Sequence, residues 1–153
     1  MQKEKTNKPV ALVLKNGNLD ILTKWLAEAK LHGQRARARN RIVKLIGEKA
    51  VMIEKERMII LGKYSKKTKD GELETKEVED VFGKKTRQYV IADQEKFNKQ
   101  YQSLIDEDAV FDLLPSNRED FKIAKEIVLN LNVEMDFNQT DVYEQVCSAF
   151  EKI

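Results

Sequence analysis

Apolar positions along the chain fall into two rhythms. Val10 to Leu14 is a short aliphatic run behind Pro9 and is closed by Asn16-Gly17, which predicts a strand ending in a turn. From Asn18 onward Leu19, Leu22, Leu26 and Ala29 recur at helical spacing with Trp25 beside them, so a first amphipathic helix is expected, capped by Asn18 and stopped at Gly33. The longest periodic stretch follows, from about Gln34 to Tyr64. There Ile42, Leu45, Ile46, Met52, Ile53, Ile59 and Ile60 return in groups every seven residues, the period that keeps one stripe facing one partner. Lys49, Glu56 and Gly47 interrupt this seam, Gly47 by about 1 kcal/mol relative to alanine, which favours packing within one molecule over a free-standing zipper.

Beyond Tyr64 the pattern turns polar. Residues 65–92 read as a loop or hairpin excursion, with Asp70-Gly71 as a turn signal and Gln88 to Ile91 as a strand. A helix beginning at Asp93 carries Phe97, Tyr101, Leu104 and Ile105 on one face, and the seam of the long helix is its expected antiparallel partner. Val110 to Leu114 reads as another strand. Ser116 and Glu119 suggest a capping box that opens a helix with Phe121, Ala124, Ile127, Val128 and Leu131 inward. A last helix from about Thr140 buries Tyr143, Val146, Cys147 and Phe150, with Ile153 at its end.

The fold class expected is therefore α+β and predominantly α-helical: a long helix in an antiparallel helical pair, three shorter helices, and a small β-sheet of Val10 to Leu14, Gln88 to Ile91 and Val110 to Leu114. Residues 1–8 read as a flexible tail, and 9–153 as a single mainly helical domain. Composition agrees. A 153-residue chain with 41% hydrophobic and 35% charged residues, six glycines and two prolines suits helices better than a turn-rich sandwich. No apolar run approaches the roughly 18 residues needed to span a bilayer, and no apolar signal core follows Met1, so a soluble, unexported protein without membrane contact is expected. The single cysteine, Cys147, has no partner for an intramolecular disulfide, which fits a reducing compartment.

Charge changes the picture more than composition does. Residues 1–103 hold 24 Lys/Arg against 14 Asp/Glu and residues 104–153 hold 4 against 12, so the net +2 conceals about +10 followed by about −8. The cations concentrate between Ala29 and Gly47, where no acidic residue occurs and Lys30, Arg35, Arg37, Arg39, Arg41 and Lys44 all fall. These six are the candidate protein- or phosphate-binding residues. Arg35/Arg39 and Arg37/Arg41 are i,i+4 pairs on nearly opposite sides of a helix, which weakens a groove-reading role but leaves phosphate contact open. Two dispositions follow. Either the acidic last third neutralises these arginines within the chain, or they stay a free positive surface that steers a partner. The second is the expectation, because exposed ion pairs are worth only about 0–1 kcal/mol each and give little reason to gather so many arginines.

Catalytic material is thin. His32 and Cys147 are the lone histidine and cysteine, so no Cys/His metal set can be drawn, and Cys147 on an apolar helix face reads as a packing thiol. His32 reads as a partner for the last carbonyls of its helix. The glycines are scattered singly and build no phosphate loop, while Asp106-Glu107-Asp108 reads as a solvated acidic turn in preference to a hydrolase carboxylate pair. A non-enzymatic protein without cofactor or metal is expected.

Several short motifs carry a resemblance: Gly33-Gln34-Arg35-Ala36-Arg37-Ala38-Arg39, Leu61-Gly62-Lys63-Tyr64, Lys69-Asp70-Gly71-Glu72, Asp93-Gln94-Glu95-Lys96-Phe97-Asn98, Val142-Tyr143-Glu144 and Ala149-Phe150-Glu151. Across residues 10–151 this order resembles a family of small uncharacterised accessory proteins of tailed phages and prophages of Gram-positive bacteria. The resemblance implies a phage or prophage origin and an accessory role, and no catalytic residues. The function expected is that of a non-catalytic accessory or assembly protein, in the bacterial host cytoplasm or with the virion, that binds protein through the Arg35 to Arg41 surface and the exposed 65–92 excursion. The expected partner is a phage or host protein, with self-association open. The alternative is a nucleic-acid-binding regulator or anti-defence factor that uses the basic helix end 30–44.

Overall fold

The structure, a computed structural model, describes residues 10–153. The expected tail at residues 1–8 lies outside them. In chain order the elements are β1 (Ala11–Lys15), a 3-10 turn (Asn16–Asn18), α1 (Leu19–Glu28), α2 (Gly33–Tyr64), β2 (Thr75–Glu79), β3 (Lys85–Tyr89), α3 (Gln94–Asp106), β4 (Asp108–Asp112), α4 (Arg118–Leu129) and α5 (Phe137–Glu151). The fold is α+β and predominantly helical, as the periodicity predicts. The described chain forms two compact units: residues 10–51 with 106–153, and residues 52–105. The helix α2 contributes its first part to one and its last part to the other.

In the first unit β1 and β4 pair antiparallel, Leu12 opposite Phe111 and Leu14 opposite Ala109. The alternation of strand side chains puts these four on the core face and leaves Val13 and Val110 outside. The helices close over that face. Leu19, Leu22, Trp25 and Leu26 come from α1, Ala38, Ile42 and Ile46 from α2, Phe121, Ala124 and Val128 from α4, and Val146 and Phe150 from α5, all buried. Burying a side chain of Leu, Ile, Val or Phe size yields about 1.5–3 kcal/mol each, so this layer dominates the unit's stability. Tyr143 packs edge-on against Trp25, ring centroids 5.6 Å apart, and its hydroxyl donates to the Val128 carbonyl at 2.6 Å.

Asn18 stands at the N-cap of α1 as expected, though without a side-chain hydrogen bond, and the other caps fall elsewhere than the sequence suggests. The helix α1 ends at Glu28, before Gly33, because Ala29 turns extended. Gly33, at φ 51° in the left-handed region, opens α2 instead of closing α1. Ser116 and Glu119 form no capping box. Asn117 sits at the N-cap of α4, accepting from the Leu114 N–H at 2.8 Å and donating to the Asp112 carbonyl at 3.2 Å. The capping box is at α5, which therefore starts at Phe137 ahead of Thr140. There Asp136 accepts from the Gln139 N–H at 2.8 Å and Gln139 accepts from the Asp136 N–H at 3.1 Å.

The second unit is built differently. The last turns of α2 and α3 as far as Ile105 form the antiparallel pair: Ala92 N–H, just ahead of α3, donates to the Tyr64 carbonyl at 2.7 Å, and Gln100 donates to the Tyr64 hydroxyl at 2.7 Å. Leu61, Phe97 and Leu104 are its buried apolar residues, with Ile53, Ile60, Tyr101 and Ile105 half-buried. Two members of the expected seam, Met52 and Ile59, are 54% and 71% exposed. Each stands one residue, about 100° of helix, from the neighbour that faces inward. The expected single sheet is also corrected. Gln88 and Tyr89 pair with Lys76 and Thr75 in a β2–β3 hairpin, so there are two separate two-stranded sheets.

Candidate protein-binding surfaces

Three of the six basic candidates have their guanidinium groups engaged within the first unit. Arg41 holds Asp120 in a two-pronged contact, Nε to Oδ2 and Nη2 to Oδ1, both 2.8 Å. Asp120 is a buried carboxylate in the first turn of α4, and its fork with Arg41 raises the arginine's pKa, the hydrogen bond being the main cause. Arg35 reaches Glu126, two turns along α4, at 3.0 Å. Arg39 turns to α1, where Nη1 donates to the carbonyls of Ala29 at 2.6 Å and Leu26 at 2.9 Å and so caps the exposed end of that helix. For these three arginines the first disposition holds over the expected free surface. The reason is antiparallel packing of α4 on α2, which sets Asp120 and Glu126 against Arg41 and Arg35. Lys30, Arg37 and Lys44 make no ion pair or side-chain hydrogen bond with another described residue.

Beside the Arg35–Glu126 pair lies a cavity of about 470 Å³ with Trp25, Leu31, Ile127, Leu131 and Val133 in its wall. Its lining mixes these apolar side chains with Glu28, Asn130, Asn132 and the Arg35–Glu126 pair in nearly equal share.

The excursion at 65–92 is part of the binding surface that the sequence suggests, but the residues of its tip are not singled out there. The hairpin turn lies at Asp80–Lys84, not at Asp70-Gly71, which makes a smaller turn closed by Gly71 N–H to the Thr68 carbonyl at 3.0 Å. Asp80 Oδ1 accepts from the N–H groups of Phe82 at 2.9 Å and Lys84 at 2.8 Å, and Gly83 takes φ 78°. That is a three-residue hairpin loop with its glycine in the left-handed position. Between these fixed points Val81 and Phe82 are 94% and 92% exposed. The loop needs Asp80 and Gly83. It does not need a valine and a phenylalanine in water. Along the arms Glu77 meets Lys85 at 3.9 Å and Arg87 donates to the Thr75 hydroxyl at 3.2 Å, so both cationic side chains have a partner within the hairpin, whereas Lys84 has no side-chain partner among the described residues.

The candidate chemistry residues stand apart from this. His32 is exposed between α1 and α2. Burial pushes the Cys147 thiol up, away from thiolate reactivity. Asp108, in the acidic run, pairs with Lys15 at 2.9 Å. Among the described residues no group of three or more His, Cys, Asp or Glu is placed to hold a metal ion, and no helix is long and apolar enough to cross a membrane. Comparison with protein-family models, with curated proteins and with solved structures finds no match for this chain.

Proposed function

We propose that this chain is a non-catalytic accessory or assembly protein of a tailed phage or prophage, and that it acts by protein–protein binding through the tip of the β2–β3 hairpin. The observation that carries this reading is the exposure of Val81 and Phe82 on a turn whose geometry is set by Asp80 and Gly83 alone. Burying the two side chains in a partner's apolar pocket yields about 1.5–3 kcal/mol each, and the unanswered Lys84 ammonium suits a pocket rimmed by carboxylates. The phage setting rests on the sequence resemblance. Such a protein works in the host cytoplasm or in the virion.

The test is a tagged pull-down from phage-infected cells, comparing wild type with Val81→Ser/Phe82→Ser. A protein captured in stoichiometric amount by wild type should be lost with the variant, whose circular dichroism and melting curve stay unchanged. Equal capture by both chains rejects the tip.

A second reading, phosphate contact by the basic helix end, draws on Lys30, Arg37 and Lys44, which have no described partner. It predicts binding to duplex DNA whose affinity falls with salt, with a slope of about three ions when all three cations meet phosphates.

A further inference from the structure

The first unit holds a second surface with a different chemistry. In the β1–β4 pair, Asn16 N–H donates to the Glu107 carbonyl and Leu113 N–H to the Val10 carbonyl, both at 2.9 Å. This phase makes Leu12–Phe111 and Leu14–Ala109 the hydrogen-bonded pairs, because such pairs alternate along an antiparallel ladder. The main-chain N–H and C=O of Ala11 and Val13 therefore point the other way, to the free edge of β1. Among the described residues they find no hydrogen-bond partner.

That edge borders a groove of about 710 Å³ between β1 and one face of α5. Asn18 donates to Gln145 at 3.1 Å across one end of it. The α5 wall carries Asp141 and Glu144, neither in an ion pair with a described residue, and the third carboxylate of the lining, Asp108, is held by Lys15. Lys152 is the one lining cation not paired in this way.

Unpaired main-chain groups on a strand edge are matched by another extended backbone, and unpaired carboxylates by a cation. We infer that the free edge of β1 accepts an extended, lysine- or arginine-bearing peptide segment of a partner protein as an added strand, its basic side chain against Asp141 and Glu144. A five-residue strand offers about 17 Å of edge, enough for a segment of five to seven residues. A second copy of this chain fits less well, since across a two-fold axis it carries its own acidic α5 face to the same groove. This site is distinct from the hairpin tip and does not depend on it.

The probe is a labelled seven-residue peptide alternating valine with lysine and threonine, titrated into the full chain by fluorescence anisotropy. Two controls accompany it: the same peptide with glutamate for lysine, and one N-methylated at consecutive central residues so that neither edge can donate. The lysine peptide should bind saturably and both controls at least tenfold more weakly. Val13→Pro removes an N–H that faces away from β4, so the β1–β4 hydrogen bonds stay, and it should weaken binding at least tenfold. Asp141→Lys/Glu144→Lys, on an exposed face, should invert the preference between lysine and glutamate peptides. Val81→Ser/Phe82→Ser should bind the peptide as wild type does, so the two surfaces fail or stand separately. Failure of the lysine peptide to bind, equal binding of the N-methylated peptide, indifference to both groove variants, or a dimer in sedimentation that Val13→Pro dissociates would each overturn the inference.

Discussion

Of the twenty apolar residues buried among those described, seventeen lie in the first unit and three, Leu61, Phe97 and Leu104, in the second. The first unit is thus held by a continuous apolar layer, the second mainly by hairpin hydrogen bonds and a thin helix–helix contact. The contrast runs along a single helix. In its first part α2 buries Ala38, Ile42 and Ile46 almost completely, and farther on Met52 and Ile59 stand in water. A segment with few buried apolar contacts opens locally at lower free energy than a cored one. The second unit is therefore the labile part, and it is also the part that presents Val81 and Phe82.

The largest effect that can break this comparison is a core truncation on each side. Phe121→Ala, at a fully buried site, should destabilise the first unit by about 3–5 kcal/mol. Phe97→Ala should cost less than that and should speed amide exchange chiefly within 52–105. Urea denaturation with hydrogen exchange by mass spectrometry checks both, and equal losses would show the second unit to be as well cored as the first.

Next comes the Arg41–Asp120 fork. Arg41→Met strands a buried carboxylate, so the melting temperature should fall clearly, whereas Arg37→Met, which has no described partner to strand, should leave it unchanged. The double variant Arg41→Met/Asp120→Leu should recover part of the loss. An undiminished melting temperature for Arg41→Met would mean that the pair is not formed.

A smaller, pH-dependent effect comes from Tyr143. Burial, with the hydrogen bond to Cys147 second, pushes its pKa up to about 12 from the ordinary value of 10.0. The unfolded chain ionises this phenol near pH 10 and the folded chain does not, so the stabilisation is complete below pH 10 and is lost as pH rises through 12. Tyr143→Phe should flatten the decline in melting temperature over that window. An identical alkaline slope in both chains would refute the assignment.

The smallest expected effect sharpens the contrast within α2. Met52→Asp and Ile59→Asp should change stability by no more than about 0.5 kcal/mol, as surface substitutions do, while Ile42→Asp should prevent folding of the first unit. A large loss at Ile59 would place it under a covering that the structure does not contain.

These differences also mark what the sequence made legible. Helix periodicity identified every helix and the inward faces of α1, α3 and α4, because that signal is local. It could not choose between Met52 and Ile53 or between Ile59 and Ile60. Both members of each doublet are apolar, and the choice belongs to α3, some forty residues away. Strand character was local too, but the partner of Gln88 was not, and the wrong sheet followed. The arginine cluster was visible as a cluster. Its ion partners were not, since Asp120 lies 79 residues from Arg41. The hairpin tip could have been found: Asp80-Val81-Phe82-Gly83 carries a turn acceptor, two apolar residues and a glycine in a charged stretch.

The pairing of β1 with β4 has a consequence for synthesis. The two strands are separated by about ninety residues, as the Lys15–Asp108 contact spans 93 positions. Residues 52–105 are contiguous, so a chain emerging from the ribosome carries the whole second unit before the strand that closes the first has been made. The Arg39 bonds to α1 reach back only 10 to 13 residues. The α1–α2 corner can therefore form early, while β1 and the apolar face of α1 wait for β4, α4 and α5. Closing that long loop is the entropically expensive step, and until β4, α4 and α5 have been made it leaves Leu12, Leu14 and Trp25 without the residues that cover them.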